Sequence, residues 1–167
     1  MKAIHFVFCL FAVLMLTTTN GHAAATNEDF QTFLKKFTSS ASFQYSRIKF
    51  PLKTPIALLE EDGETEKTFP FTRDKWALLG EDAFKEERIT DEEGGVYVSR
   101  FTVNNPKHKE FEAGYDESEA SLRVVFELID GKWYVTDCYN FDLPISELPE
   151  TITTIEEENK AFEEMHP

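Results

Sequence analysis

LRVVFELIDGKWYVTDCYNF, residues Leu122 to Phe141, is the stretch that decides the fold. Two runs rich in branched and aromatic residues flank Asp130-Gly131, the dipeptide favoured where both turn residues need positive φ, so a two-residue β-hairpin is predicted. A turn of that length sets the register: Ile129 faces Lys132, Leu128 faces Trp133, Phe126 faces Val135, Val124 faces Asp137 and Leu122 faces Tyr139. Asp137 is then the one charged residue on an otherwise apolar face, while Arg123, Glu127, Tyr134, Thr136 and Cys138 fall on a mixed opposite face. Burying a carboxylate costs several kcal/mol unless it is paired, so Asp137 needs a partner or an opening to water. A Tyr hydroxyl, Arg100 and Arg47 are the candidate partners. One β-bulge would flip the assignment.

Working outward, Val96 to Val103 alternates, Asn104-Asn105-Pro106 turns, and Phe111, Ala113 and Tyr115 line one face of the next strand before a turn at Asp116 to Glu119. Upstream, the acidic, weakly patterned run Glu81 to Glu93 reads as a solvated connection ending at Gly94-Gly95. Thr72 reads as the cap of a helix from Arg73 to Leu79, anchored by Trp76 and Leu79 and stopped by Gly80. Ile56 to Leu59 and Thr68 to Phe71 read as short strands around the acidic turn Glu60 to Glu64. In FQYSRIKFPL, Phe43 to Leu52, one helical turn through Ser46 gives way to a strand in which Ile48, Phe50 and Leu52 alternate with Arg47, Lys49 and Pro51. Pro51 and Pro55 push that strand to a sheet edge. Phe30, Phe33, Leu34 and Phe37 follow helical spacing behind a cap at Thr26 or Asn27. Leu148, Ile152, Ile155 and Phe162 mark one face of a C-terminal helix. The class is α+β: a curved antiparallel sheet with N-terminal helices packed on it, plus a C-terminal helix.

Met1 and Lys2, an apolar run from Ala3 to Leu16 and a polar tail to Ala25 have the form of an export signal. Cleavage is expected near Ala23 to Ala25, leaving a single domain over 24–167. The apolar run is shorter than the roughly 20 residues a membrane-spanning helix needs, and no second run follows, so the mature chain is expected to have no transmembrane segment and to be periplasmic or extracellular. Phe, Trp and Tyr outside the leader supply a large core. The net charge of −14 disfavours nucleic acid as a partner. Cys138 is left without a second mature thiol, and reads as a half-buried strand residue.

No nucleotide-binding, nucleophile-elbow or zinc motif occurs, and with His108 and His166 as the only mature imidazoles no metal site, cofactor or catalytic residue is assigned. The acidic clusters lack EF-hand spacing and read as solvated turns.

The F-x-x-F-x-x-x-F helix, FQYSRIKFPL and the WYVTDCYNF strand together resemble an uncharacterised family of exported gut-bacterial proteins, the domain-of-unknown-function family numbered 4348. That resemblance spans nearly the whole mature chain and implies a nuclear transport factor 2-like (cystatin-like) cone with a pocket. It implies no activity. In such a cone Asp137, Trp133 and Tyr139 line the pocket, with Arg47, Arg100, Trp76, Tyr97 and Tyr115 as further wall candidates.

Three functions follow. The first is a non-catalytic envelope module binding a small apolar or amphipathic ligand in the cone. The second is an isomerase- or hydratase-like enzyme with Asp137 as general base. The third is an interaction domain for another envelope protein, through its outer sheet face or C-terminal helix. The leader makes a direct prediction: N-terminal sequencing of the protein exported by its own cells should begin at Ala24 or Thr26, and a secreted chain still carrying Met1 would refute the export signal.

Overall fold

In the computed structural model, which describes residues 26–92, 94–118, 120–139 and 144–166, the expected leader and Phe141 lie outside the described residues. The phenylalanine stripe forms helix α1 (Phe30–Phe37), burying Phe30, Phe33 and Phe37. Its cap is Asp29, whose carboxylate accepts from the Thr32 N–H at 2.8 Å, rather than Thr26 or Asn27. The Glu28 N–H donates to the Gly131 carbonyl at 2.8 Å, so the chain is tied to the hairpin turn through residue 28 and the helix begins after it. Helix α2 (Ala41–Ser46) follows, capped by Ser40.

Strands β1 (Ile56–Leu59) and β2 (Glu66–Phe69) form an antiparallel ribbon. Strands β3 (Glu87–Thr90), β4 (Val96–Asn104), β5 (His108–Tyr115), β6 (Leu122–Ile129) and β7 (Lys132–Tyr139) form a five-stranded antiparallel meander in sequence order. Helix α3 (Leu148–Met165) ends the fold, which is therefore of the expected α+β class.

One face of the meander packs on α1. Phe126, fully buried, meets Phe30, Phe33 and Phe37 with ring centroids 5.4, 5.9 and 6.1 Å away, and Phe84 closes against Phe111 at 5.2 Å. The run after Gly80 is thus more than a solvated connection: it holds a 3-10 turn over Glu81–Phe84, a core phenylalanine and strand β3. Its periodicity is weak because β3 is short and mostly exposed.

The strand expected through Ile48, Phe50 and Leu52 is instead an irregular strap along the free edge of β7. Ile48 makes a single parallel bridge to Val135. Val135 donates to the Arg47 carbonyl at 2.8 Å, its own carbonyl accepts from Lys49 at 2.9 Å, and Lys53 donates to the Thr136 carbonyl at 3.2 Å. Pro51 and Pro55 have no N–H to continue a ladder. The strap covers the sheet edge without becoming a sixth strand.

The helix expected over Arg73 to Leu79 is reduced to a 3-10 turn at Arg73–Lys75. Beyond it the chain is extended, and side-chain amides satisfy its backbone. Gln44, fully buried, donates from Nε2 to the carbonyls of Phe37 (2.7 Å) and Leu79 (3.0 Å), while its Oε1 accepts from the Trp76 indole and the Leu79 N–H, both at 2.9 Å. Two acceptors on one side and two donors on the other fix the amide's orientation. Asn159 of α3 does similar work, accepting from the Leu78 N–H at 2.7 Å and donating to the Trp76 carbonyl at 2.7 Å. Helix α3 therefore docks on its own domain, on this segment, with Leu148 and Ile155 buried.

Replacing Gln44 by Leu would strand two buried N–H donors, each costing about 1–3 kcal/mol. The Gln44→Leu variant should lose about 3 kcal/mol or more in denaturant unfolding, and a midpoint unchanged from wild type would show the amide to be dispensable.

Candidate functional site on the outer sheet face

The β6–β7 hairpin keeps the expected register only near its turn. Ile129 pairs with Lys132, Leu128 with Trp133 and Phe126 with Val135, after which Val125 pairs with Asp137, Val124 with Cys138 and Arg123 with Tyr139. Thr136 is the extra residue, a β-bulge that exchanges the faces of everything beyond it. Cys138 enters the core beside Val124, and burial drives its thiol pKa upward. Asp137 leaves the apolar face for the opposite one. Among the described residues, the buried Thr136 hydroxyl has no hydrogen-bond partner.

On the outer face Asp137 anchors the strap. Its Oδ1 accepts from the N–H groups of Thr54 (2.9 Å) and Cys138 (3.0 Å), and its Oδ2 accepts from the Thr54 hydroxyl at 2.9 Å. Arg123 Nη1 stands 3.9 Å from Oδ2, too far for a hydrogen bond. The hydrogen bonds of Arg123 go to Glu110, whose Oε2 accepts from Nη2 at 2.7 Å and Nε at 3.1 Å, while His108 Nε2 lies 2.7 Å from the other oxygen. His108 and Arg123 hold the Glu110 carboxyl below its ordinary range, and Glu110 in turn raises the Arg123 pKa.

Strand pairing extends this cluster into a row. Arg100 lies across from Glu112, Glu112 from Arg123, and Arg123 from Tyr139. Around the row runs a cleft of about 350 Å³ lined by Thr54, Glu112, Ala120, Arg123, Asp137 and Tyr139. A smaller hollow of about 140 Å³ continues it past Glu112 and Ala120 to Arg100 and Tyr115. A separate groove of about 540 Å³ lies between α1 and the Glu81–Phe84 turn, floored by Leu34 and Phe84.

Of the residues singled out in sequence, Asp137, Tyr139 and Arg100 come together on this outer face. The others do not join them. Trp133 (2% exposed) and Trp76 (1%) are core. Arg47 pairs with Glu28 through two hydrogen bonds of 2.7 and 3.0 Å and lies over the Phe43 ring at 4.6 Å, so it is no partner of Asp137. Burial raises the Glu28 pKa, but Arg47 and the Trp133 N–H outweigh it and the net shift is downward. Tyr97 and Tyr115 pair edge to face at 5.9 Å, with Tyr115 reaching only the rim of the smaller hollow. Arg123, Glu110, Glu112 and Thr54 went unassigned. The alternation of His108, Glu110 and Glu112 along β5 was a signal for them, but the bulge that turns Asp137 towards them has no mark in the sequence.

A family model described only as "-like" matches residues 28–163. Among solved structures, the chain is 66% identical to a cystatin-like protein from Bacteroides caccae, with 86% of this chain and 99% of that one covered and a TM-score of 0.80. The chain belongs to this family. It is also 77% identical to a protein from Bacteroides uniformis, covering 86% of this chain and 99% of that one at a TM-score of 0.79. A protein from Bacteroides ovatus is 68% identical over 84% of this chain and 94% of that one, at a TM-score of 0.77. No curated protein matches the chain. Among the described residues no helix is long and apolar enough to cross a membrane, and no group of acidic, His and Cys side chains has the arrangement of a metal site.

The lowered Glu110 pKa carries a sign. Its stabilising contribution is fully present above its ordinary value of 4.5 and is lost as pH falls through the lower folded-state value. In denaturation midpoints measured from about pH 7 to about pH 3, wild type should exceed Glu110→Gln at neutral pH and converge on it in acid. A constant gap would show that the ion pairs contribute nothing.

Proposed function

We propose that this protein is a non-catalytic binding module whose ligand occupies the cleft on the outer face of the sheet, beside Arg123 and Asp137. The observation that carries this reading is the fixed geometry of Arg123, held through two of its nitrogens by Glu110 on the floor of an open cleft of about 350 Å³. A binding group whose orientation is set before the ligand arrives loses less freedom on binding. The inner face, where the cone pocket was expected, is filled by the rings of Phe30, Phe33, Phe37, Phe84, Phe111 and Phe126 among the described residues. The ligand reading therefore moves outward and becomes polar rather than apolar.

A general-base role for Asp137 is disfavoured because its oxygens already accept three hydrogen bonds that hold the strap. We also read the protein as exported, as a single domain over 24–167, and as a member of family 4348 with a nuclear transport factor 2-like cone. A protein partner is the second reading, favoured by the cross-strand row Ile89, Tyr97 and Tyr115, in which Ile89 and Tyr115 are 49% and 48% exposed.

Amide chemical shifts recorded against a panel of sugars, polyamines, dicarboxylates and amino acids test the binding reading. At least one class should shift Thr54, Arg123 and Tyr139 together. A panel that leaves all three unmoved, or moves only Ile89 and Tyr115, would overturn it.

A further inference from the structure

Opposite charges placed directly across two antiparallel strands ordinarily pair with each other. Arg100 and Glu112 are such partners, yet they do not pair. Glu112 leans the other way and stops 3.7 Å from Arg123 Nε, beyond hydrogen-bond length, with 36% of its side chain exposed. Among the described residues the Arg100 guanidinium has neither an ion pair nor a hydrogen bond. Arg123 differs, because Glu110 holds it. The row thus presents the Arg100 fork beside the Glu112 carboxylate in the smaller hollow, with Glu112 also lining the cleft and lying within ion-pair range of Arg123.

A ligand with a single charge fits this row poorly. An anion at Arg100 lies beside Glu112, with Glu110 and Asp137 further along the face; a cation at Glu112 lies between Arg100 and Arg123, its two cross-strand neighbours. A ligand carrying both charges completes both interactions at once, its carboxylate received by the Arg100 fork and its ammonium by Glu112. From the chemistry of these two residues we infer that the smaller hollow takes the charged end of a zwitterion, a free α-amino acid, whose side chain extends into the adjoining cleft towards Ala120, Thr54 and Tyr139. This rests on the binding reading above and adds to it the class of ligand. About 350 Å³ of open space on that side leaves room for a side chain.

The test is an amide-shift titration of the full mature chain with a pool of free L-amino acids at millimolar concentration. The tightest member is then compared with its own N-acetyl and carboxamide derivatives. Each derivative lacks one charge and should bind about tenfold or more weakly, and Arg100→Gln, at an exposed position, should weaken the parent amino acid by a similar factor while leaving the rest of the spectrum in place. A derivative binding as tightly as its parent, or an unchanged affinity in Arg100→Gln, overturns the inference. Should no free amino acid shift Thr54, Arg123 or Tyr139 while another polar class does, the zwitterion is wrong and the cleft remains a binding site. If no class shifts them, both readings fail.

Discussion

The buried amide of Gln44 is the constraint on which the helical half of the molecule depends. It sits where α1, α2 and the extended segment after Lys75 converge, and it uses all four of its hydrogen-bonding positions, on Phe37, Trp76 and Leu79. A loop pressed into a core ordinarily carries backbone groups that cannot be satisfied. Gln44 and Asn159 supply those partners from α2 and α3, so the Trp76–Leu79 segment, with Trp76 buried and the rest half-buried, packs on the core without belonging to any helix or sheet. Trp76 can then place its indole in the core, 6.0 Å from Phe71 and 6.2 Å from Phe50, with its N–H paired.

The sheet half depends on a different device. Strand β7 is an edge strand, and an uncovered edge is a template for unwanted pairing. The strap from Arg47 to Thr54 covers it, and the bulge at Thr136 turns Asp137 outward to hold the strap's end through Thr54. Among the described residues the Thr136 hydroxyl is left without a hydrogen-bond partner in that arrangement. The same bulge sends Cys138 into the core and brings Asp137 and Tyr139 into the charged row with Arg123, Glu112 and Arg100. Edge protection and the candidate site are thus two results of one inserted residue.

Much of the architecture was legible because it rests on local signals. Asp130-Gly131 has the positive φ angles its sequence demands, at 49° and 76°, and the registers next to it are as read. The helical spacing of Phe30, Phe33 and Phe37 and the apolar stripe of α3 also behave as their periodicity implies. The errors fall where a distant group overrides a local preference: the helix from Thr72 stops after one 3-10 turn because Gln44 and Asn159 hold the residues from Trp76 on extended, and Ile48 to Leu52 alternates without a strand because its partner edge is met at one bridge only. In the site, the residue types at Asp137, Tyr139 and Arg100 were visible, but their company was not.

Periodicity and turn chemistry within about ten residues were enough for the α+β class, the run of strands from Val96 onward, the tight hairpin turn and the aromatic core. Which face each β7 residue beyond Thr136 occupies is set instead by long-range contacts. The bulge lies where the backbone of β7 bonds both to the β6 ladder and to the strap, joining segments more than eighty residues apart, such as Thr54 and Asp137, where Thr54 donates twice to one carboxylate. A pattern of period two has no means of recording a one-residue slip imposed from so far away, and that slip turns the expected core carboxylate into the anchor of an outer-face cleft.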